Sequence, residues 1–127
     1  MKPMAKEWLE KAEGDYAIME RESRVRKNPG FDGICFHAQQ CAEKYLKARL
    51  YESGIHFGKI HDLVSLLEQV LPIEPLWEAA RQDLAYLSDF AVRYRYPGES
   101  ADRTAAVAAR DLCRRFRKLA RNSMGLK

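Results

Sequence analysis

At 127 residues the chain can bury one hydrophobic core but not two. Its 46% hydrophobic and 31% charged residues exclude a disordered chain, and no apolar run approaches the roughly 20 residues that a membrane-spanning helix needs. The net charge of +4 is unevenly spread: from Arg110 to Lys127 seven basic residues accompany one acid, Asp111.

Five helical segments follow in chain order, separated by turn signals. The first runs from Pro3, suited to a first turn, to Glu22, with Trp8, Ala12, Asp15, Tyr16 and Met19 at helical spacing. Asp15 is the polar exception on that face. Asn28-Pro29-Gly30 breaks the chain. The second runs from Asp32, read as an N-cap, to Glu52, with Ile34, Cys35, Ala38, Cys41, Ala42, Tyr45 and Ala48 on one side. The third, His61 to Val70, has Asp62 to cap it and Leu63, Leu66, Leu67 and Val70 as its stripe. The fourth, Pro75 to Val92, turns Leu76, Trp77, Ala80, Leu84, Leu87 and Phe90 inward, and Pro97-Gly98 marks the bend after it. The fifth, Ala101 to Asn122, is read as capped by Ser100, with Ala105, Ala108, Leu112, Phe116 and Leu119 as the apolar stripe. No segment alternates with period two, so no sheet is expected. The expected fold is all-α, an up-and-down bundle of four to five antiparallel helices. With no repeat or linker, residues 1–127 form a single domain in this reading.

Cys35, Cys41 and Cys113 are odd in number, have no Cys-x-x-Cys spacing and read as buried thiols. His37, His56 and His61 do not cluster with them, so no metal site is expected, and nothing calls for a cofactor. The opening Met1-Lys2-Pro3-Met4-Ala5-Lys6-Glu7 lacks the apolar stretch of a secretory signal, which makes the cytoplasm the expected compartment.

Three features carry chemistry. His37, Gln40, Lys44 and Lys47 recur at spacings of three, four and three, and so share one stripe of the second helix. That stripe reads either as a solvated edge or as a polar cleft where a histidine and two cations meet phosphate or acidic groups. Arg93-Tyr94-Arg95-Tyr96-Pro97-Gly98 alternates guanidiniums that bind phosphate with rings that stack on bases. Asp89, one turn before Arg93, offers the alternative of a structural ion pair. Arg103, Arg110, Arg114, Arg117 and Arg121 line the fifth helix on a stripe expected to face away from the core. It reads as a solvated face or as a guide for RNA or an acidic partner. His61-Asp62 reads first as a helix start.

The run Phe36-His37-Ala38-Gln39-Gln40-Cys41-Ala42-Glu43-Lys44-Tyr45-Leu46-Lys47-Ala48, then His61-Asp62-Leu63 and Arg93-Tyr94-Arg95-Tyr96-Pro97-Gly98, all after Trp8-Leu9, Ala12-Glu13 and Asp15, resembles the HEPN family of prokaryotic helical-bundle proteins. The resemblance extends from about Trp8 to Leu119. It implies a four- or five-helix bundle that forms a homodimer. It also implies pairing with a minimal nucleotidyltransferase, often as a toxin–antitoxin system, and binding of nucleotide or RNA. RNase members of the family carry an arginine, four to six residues, then a histidine late in the chain. Here no histidine follows His61, and the Arg49–His56 spacing, which fits, lies too early and crosses Gly54. The resemblance thus points to a partner or binding subunit. A metal-independent RNase using Arg93 or Arg95 with a histidine such as His37, and a non-catalytic dimeric scaffold, stand as alternatives.

Overall fold

Pro3 opens α1 (Pro3–Ser23), and Gly30 precedes α2 (Phe31–Glu52). Two short helices follow: α3 (Leu63–Val70), and α4 (Arg81–Ser88) with a 3-10 turn on either side, Pro75–Ala80 and Asp89–Ala91. The chain closes on α5 (Arg103–Ser123). The computed structural model describes residues 1–127, and every regular element in it is helical.

α2 is the centre. Twelve of its 22 residues are buried, from Ile34 to Leu50, so it can be covered on most of its circumference. α1, α5, α3 and α4 all pack on it. α1 runs antiparallel to α2: the Gly30 N–H meets Glu22 at one end and the Lys2 N–H meets Glu52 at the other, at 2.8 and 2.7 Å. α4 and its leading turn run antiparallel to α5, with Trp77 Nε1 donating to Ser123 Oγ at 2.9 Å and Arg115 Nε to Asp83 at 3.2 Å. The long segments therefore alternate in direction along the chain. α5 nevertheless lies parallel to α2, because Asp32 meets Ala101 N–H near both helix starts and Tyr45 meets Arg121 further along.

That parallel contact corrects the expected face of α5. The buried residues are Ala106, Ala109, Cys113, Phe116 and Ala120, one position on from most of the expected stripe, while Ala105, Leu112 and Leu119 are only half-buried. Small side chains here, facing Ala38, Cys41 and Ala42 of α2, let the two axes approach closely. On the fourth segment Leu76 is 79% exposed instead of inward, since the 3-10 turn rotates it off the face that carries Trp77 and Ala80.

The caps differ in two places. Asp32 does not cap α2. It sits in the first turn, and its carboxylate accepts the Ala101 N–H at 2.7 Å. α5 is capped by Asp102, not Ser100, with the Ala105 N–H donating at 2.8 Å. Asp62 caps α3 through Ser65 N–H at 2.9 Å and also accepts from Ser88, which fixes the end of α4 beside the start of α3.

Candidate functional site

Asp15, 7% exposed on the inner face of α1, is satisfied by two side chains from α2. His37 Nδ1 lies 2.7 Å from one oxygen, and Lys44 Nζ donates to the other at 2.5 Å. Two helical turns separate His37 from Lys44, so both reach the same carboxylate. A buried carboxylate held by a lysine ammonium and an imidazole is satisfied without solvent, and the bond at Nδ1 fixes the His37 ring.

One face further round α2 runs a second polar chain. Gln40 donates to Gln39 at 2.7 Å, and Gln39 donates to Glu43 at 3.0 Å. The other Glu43 oxygen accepts from Lys47 at 3.0 Å and lies 3.0 Å from His61 Nδ1. Glu43 and Lys47 are each only 4% exposed. Burial pulls the Glu43 carboxyl upward, but its bonds to His61, Gln39 and Lys47 outweigh this and hold it below the ordinary range. Lys47 is therefore a structural cation. Its ammonium is further covered by the rings of Trp8 and Phe57, at 5.4 and 5.6 Å from their centroids.

The arginine–tyrosine loop splits into a bound half and a free half. Arg93 reaches Glu99 at 3.5 Å and Asp89 at 4.0 Å, and stacks over Tyr94 at 5.3 Å. Tyr94 in turn packs on Phe90, with centroids 5.4 Å apart. Arg95 and Tyr96 are exposed, Tyr96 to 67%. Arg95 has no carboxylate within ion-pair distance. It borders a cleft of about 270 Å³ with Phe36, Gln40, Glu43, His61 and Val92. Gly98, at φ +116°, makes the bend back toward α5 with a backbone angle that side chains rarely adopt.

Among the residues expected to form a site, Gln40 and Arg95 thus share a cleft. His37 and Lys44 face Asp15 in the α1–α2 groove, and Lys47 is buried. Phe36, Glu43 and His61 complete the cleft. The i,i+4 spacing of Glu43 and Lys47 was the only local signal for the pair.

The arginines of α5 do not form an open basic face. Arg114 makes a bidentate pair with Glu20 at 2.7 and 2.8 Å, and Arg117 one with Glu13 at 2.8 and 2.6 Å. Arg117 also lies over Tyr16 at 4.2 Å. Arg121 donates to Tyr45 at 3.1 Å, and the Tyr45 hydroxyl donates to Glu13. Arg110 pairs with Asp111 at 3.0 Å, and Arg103 lies over Phe31 at 5.1 Å. The stripe is only partly solvated: Arg103 and Arg114 are exposed, but α1 presents Glu20 to Arg114 and Glu13 to Arg117 and Arg121.

The sequence model of the HEPN domain matches residues 5–123. The chain belongs to the HEPN family. No curated protein and no solved structure shows a match to it. In this HEPN chain, Arg49 is tied to Glu74 at 2.7 Å and His56 lies on the loop beyond α2, so their spacing assembles no site. No helix is long and apolar enough to cross a membrane.

Proposed function

We propose that this HEPN chain is a binding subunit whose cleft beside Arg95 takes a phosphate-bearing ligand, a nucleotide or RNA. In this proposal it acts in the cytoplasm as a homodimer, alongside a nucleotidyltransferase-type partner in a toxin–antitoxin type pair. The observation that carries the ligand is the contrast within the loop. Arg93 pairs with Glu99 and Asp89, whereas Arg95 stands at the cleft with no carboxylate in ion-pair distance and Tyr96 beside it in solvent. A guanidinium free to bind bidentately next to an exposed ring suits a phosphate carrying a base. The partner and the homodimer rest on family membership.

Equilibrium binding of ATP, GTP and a short single-stranded RNA at low salt tests the ligand. Arg95→Ala should weaken binding about tenfold or more, as expected for one charge-assisted bond. Arg93→Ala should cost less and Arg114→Ala nothing. Absence of binding, or equal losses at Arg95 and Arg114, would sink the reading. Co-purification with a neighbouring nucleotidyltransferase tests the partner.

One observation favours a second reading, a metal-independent RNase. His61 takes the hydrogen-bonding carboxylate of Glu43 at Nδ1, which leaves Nε2 free, and it borders the same cleft as Arg95. Nε2 could remove a ribose 2′-hydroxyl proton while Arg95 stabilises the phosphate charge. The products would be a cyclic 2′,3′-phosphate and a free 5′-hydroxyl. RNA that stays intact with purified protein in EDTA rules this out.

A further inference from the structure

The largest concavity lies at the far end of α2 from the arginine–tyrosine loop, where the first turn of α1 meets the loop after Glu52. Its volume is about 520 Å³, within the usual range for small-molecule pockets. It shares no lining residue with the Arg95 cleft. Three rings form much of its wall: Trp8, Tyr51 and Phe57. Trp8 and Phe57 meet edge to face at 5.9 Å and 75°, held by the Lys47 ammonium beneath them.

The lining carries the Lys2 ammonium and the His56 imidazole, and no acid joins them. The only polar contact of Lys2 Nζ is a long one, 3.5 Å to the Tyr51 carbonyl. Glu52 is occupied by the Lys2 backbone N–H. His56 makes no hydrogen bond or ion pair. Two glycines leave these groups uncovered. Gly54 and Gly58 have φ of +72° and +59°, and a Cβ on them would lie 3.6 Å from Lys2 Nζ and 4.0 Å from His56 Nε2. The two glycines that turn the loop thus also keep side chains away from Lys2 Nζ and His56 Nε2.

We infer that this hollow binds a small aromatic anion, a planar ring carrying a carboxylate or a comparable acidic group. The ring lies against Trp8, Tyr51 and Phe57, and the anionic oxygens meet Lys2 and His56. Aromatic offset or edge contacts supply the apolar part, the Lys2 ammonium sets the sign of the charge, and the His56 imidazole adds a hydrogen-bond donor. An aromatic cation meets like charge here, and a neutral analogue loses the anchoring bond.

Indole-3-acetate, neutral indole-3-acetamide and cationic tryptamine form a matched series to test it. Each is titrated into labelled full-length protein and followed by ¹H–¹⁵N correlation spectra. The acid should give saturable shifts at Gly54, Gly58 and the Trp8 indole N–H, with affinity about tenfold above the amide and no saturation with tryptamine. Lys2→Glu combined with His56→Glu alters only exposed groups. It should abolish the preference for the acid while leaving the remaining spectrum and the helical circular dichroism intact. Arg95→Ala should leave indole-3-acetate binding unchanged. The proposal is overturned by shifts confined to the Arg95 cleft, by equal binding of all three compounds, or by none at millimolar concentration.

Discussion

Lys47→Met isolates the buried ion pair of α2. The substitution keeps an apolar stem under Trp8 and Phe57 and deletes the ammonium 3.0 Å from Glu43. With both residues 4% exposed, the remaining carboxylate stays largely out of water. Breaking a buried pair from one side costs about 3–5 kcal/mol. Glu43 retains Gln39 and His61, so the lower end, about 3 kcal/mol, applies. For a chain of this length that corresponds to roughly 10 °C in Tm, or about 1.5 M in the urea midpoint with an unchanged slope. Glu43→Gln added to Lys47→Met removes the stranded charge, and stability should return to within about 1 kcal/mol of the parent. Urea denaturation followed by circular dichroism measures all three proteins. A loss below about 1 kcal/mol in the single variant, or additive losses in the double, would refute the argument that the charge is stranded.

Acid should unfold the bundle by releasing the carboxylates that are held low. In Glu20 the cause is the Arg114 hydrogen bond; in Glu13 and Glu43 bonds to Arg117 and Tyr45, and to His61, Gln39 and Lys47, overcome the upward pull of burial. Because their folded pKa values lie below the unfolded ones, this stabilisation is complete above about pH 4.5 and is lost as pH falls through the folded values. A urea midpoint that stays flat from pH 5 to pH 3 contradicts it. Asp62→Ala removes the α3 cap and should cost about 1 kcal/mol. A thermal melt unchanged by the substitution would show that Ser65 and Ser88 need no carboxylate. All three cysteines are buried; burial, helped by Asp32 and Asp102, pushes the Cys35 thiol up to about 12, and burial raises Cys41 well above its ordinary value. Ellman's reagent should therefore release no thiol promptly from native protein, and one fast-reacting thiol would show an access path.

The helices and the Asp62 cap were legible because each is written in local spacing and capping chemistry, whereas the central place of α2 appears only in the fold. The face of α5 was not. Leu112 and Leu119 are more apolar than Ala109 and Cys113, so hydrophobicity alone rotates the helix the wrong way. The better choice depends on the small residues of α2 that it meets. Nor could the arginine stripe be read correctly from α5 in isolation, since its neutralising acids lie on α1. Lys47 was placed on a solvated edge or in a polar cleft because nothing local announces that Trp8 and Phe57 will cover it. In the arginine–tyrosine loop the sequence offered Asp89 as a partner for Arg93 but gave no sign of Glu99. Only the fold separates Arg93, with Glu99 near it, from Arg95. The hollow walled by Trp8, Tyr51 and Phe57 was passed over, because its parts come from a helix start, a helix end and a loop without periodicity.

The Glu20–Arg114 and Glu13–Arg117 clamps join residues 94 and 104 positions apart. Closing that seam carries the loop-closure entropy of most of the chain, which disfavours it early in folding. Interactions absent from the folding transition state act on the rate of coming apart more than on the rate of assembly. The seam is thus expected to behave as a latch between the first and last helices: weakening it should shorten the lifetime of the native state while refolding proceeds at nearly its former pace.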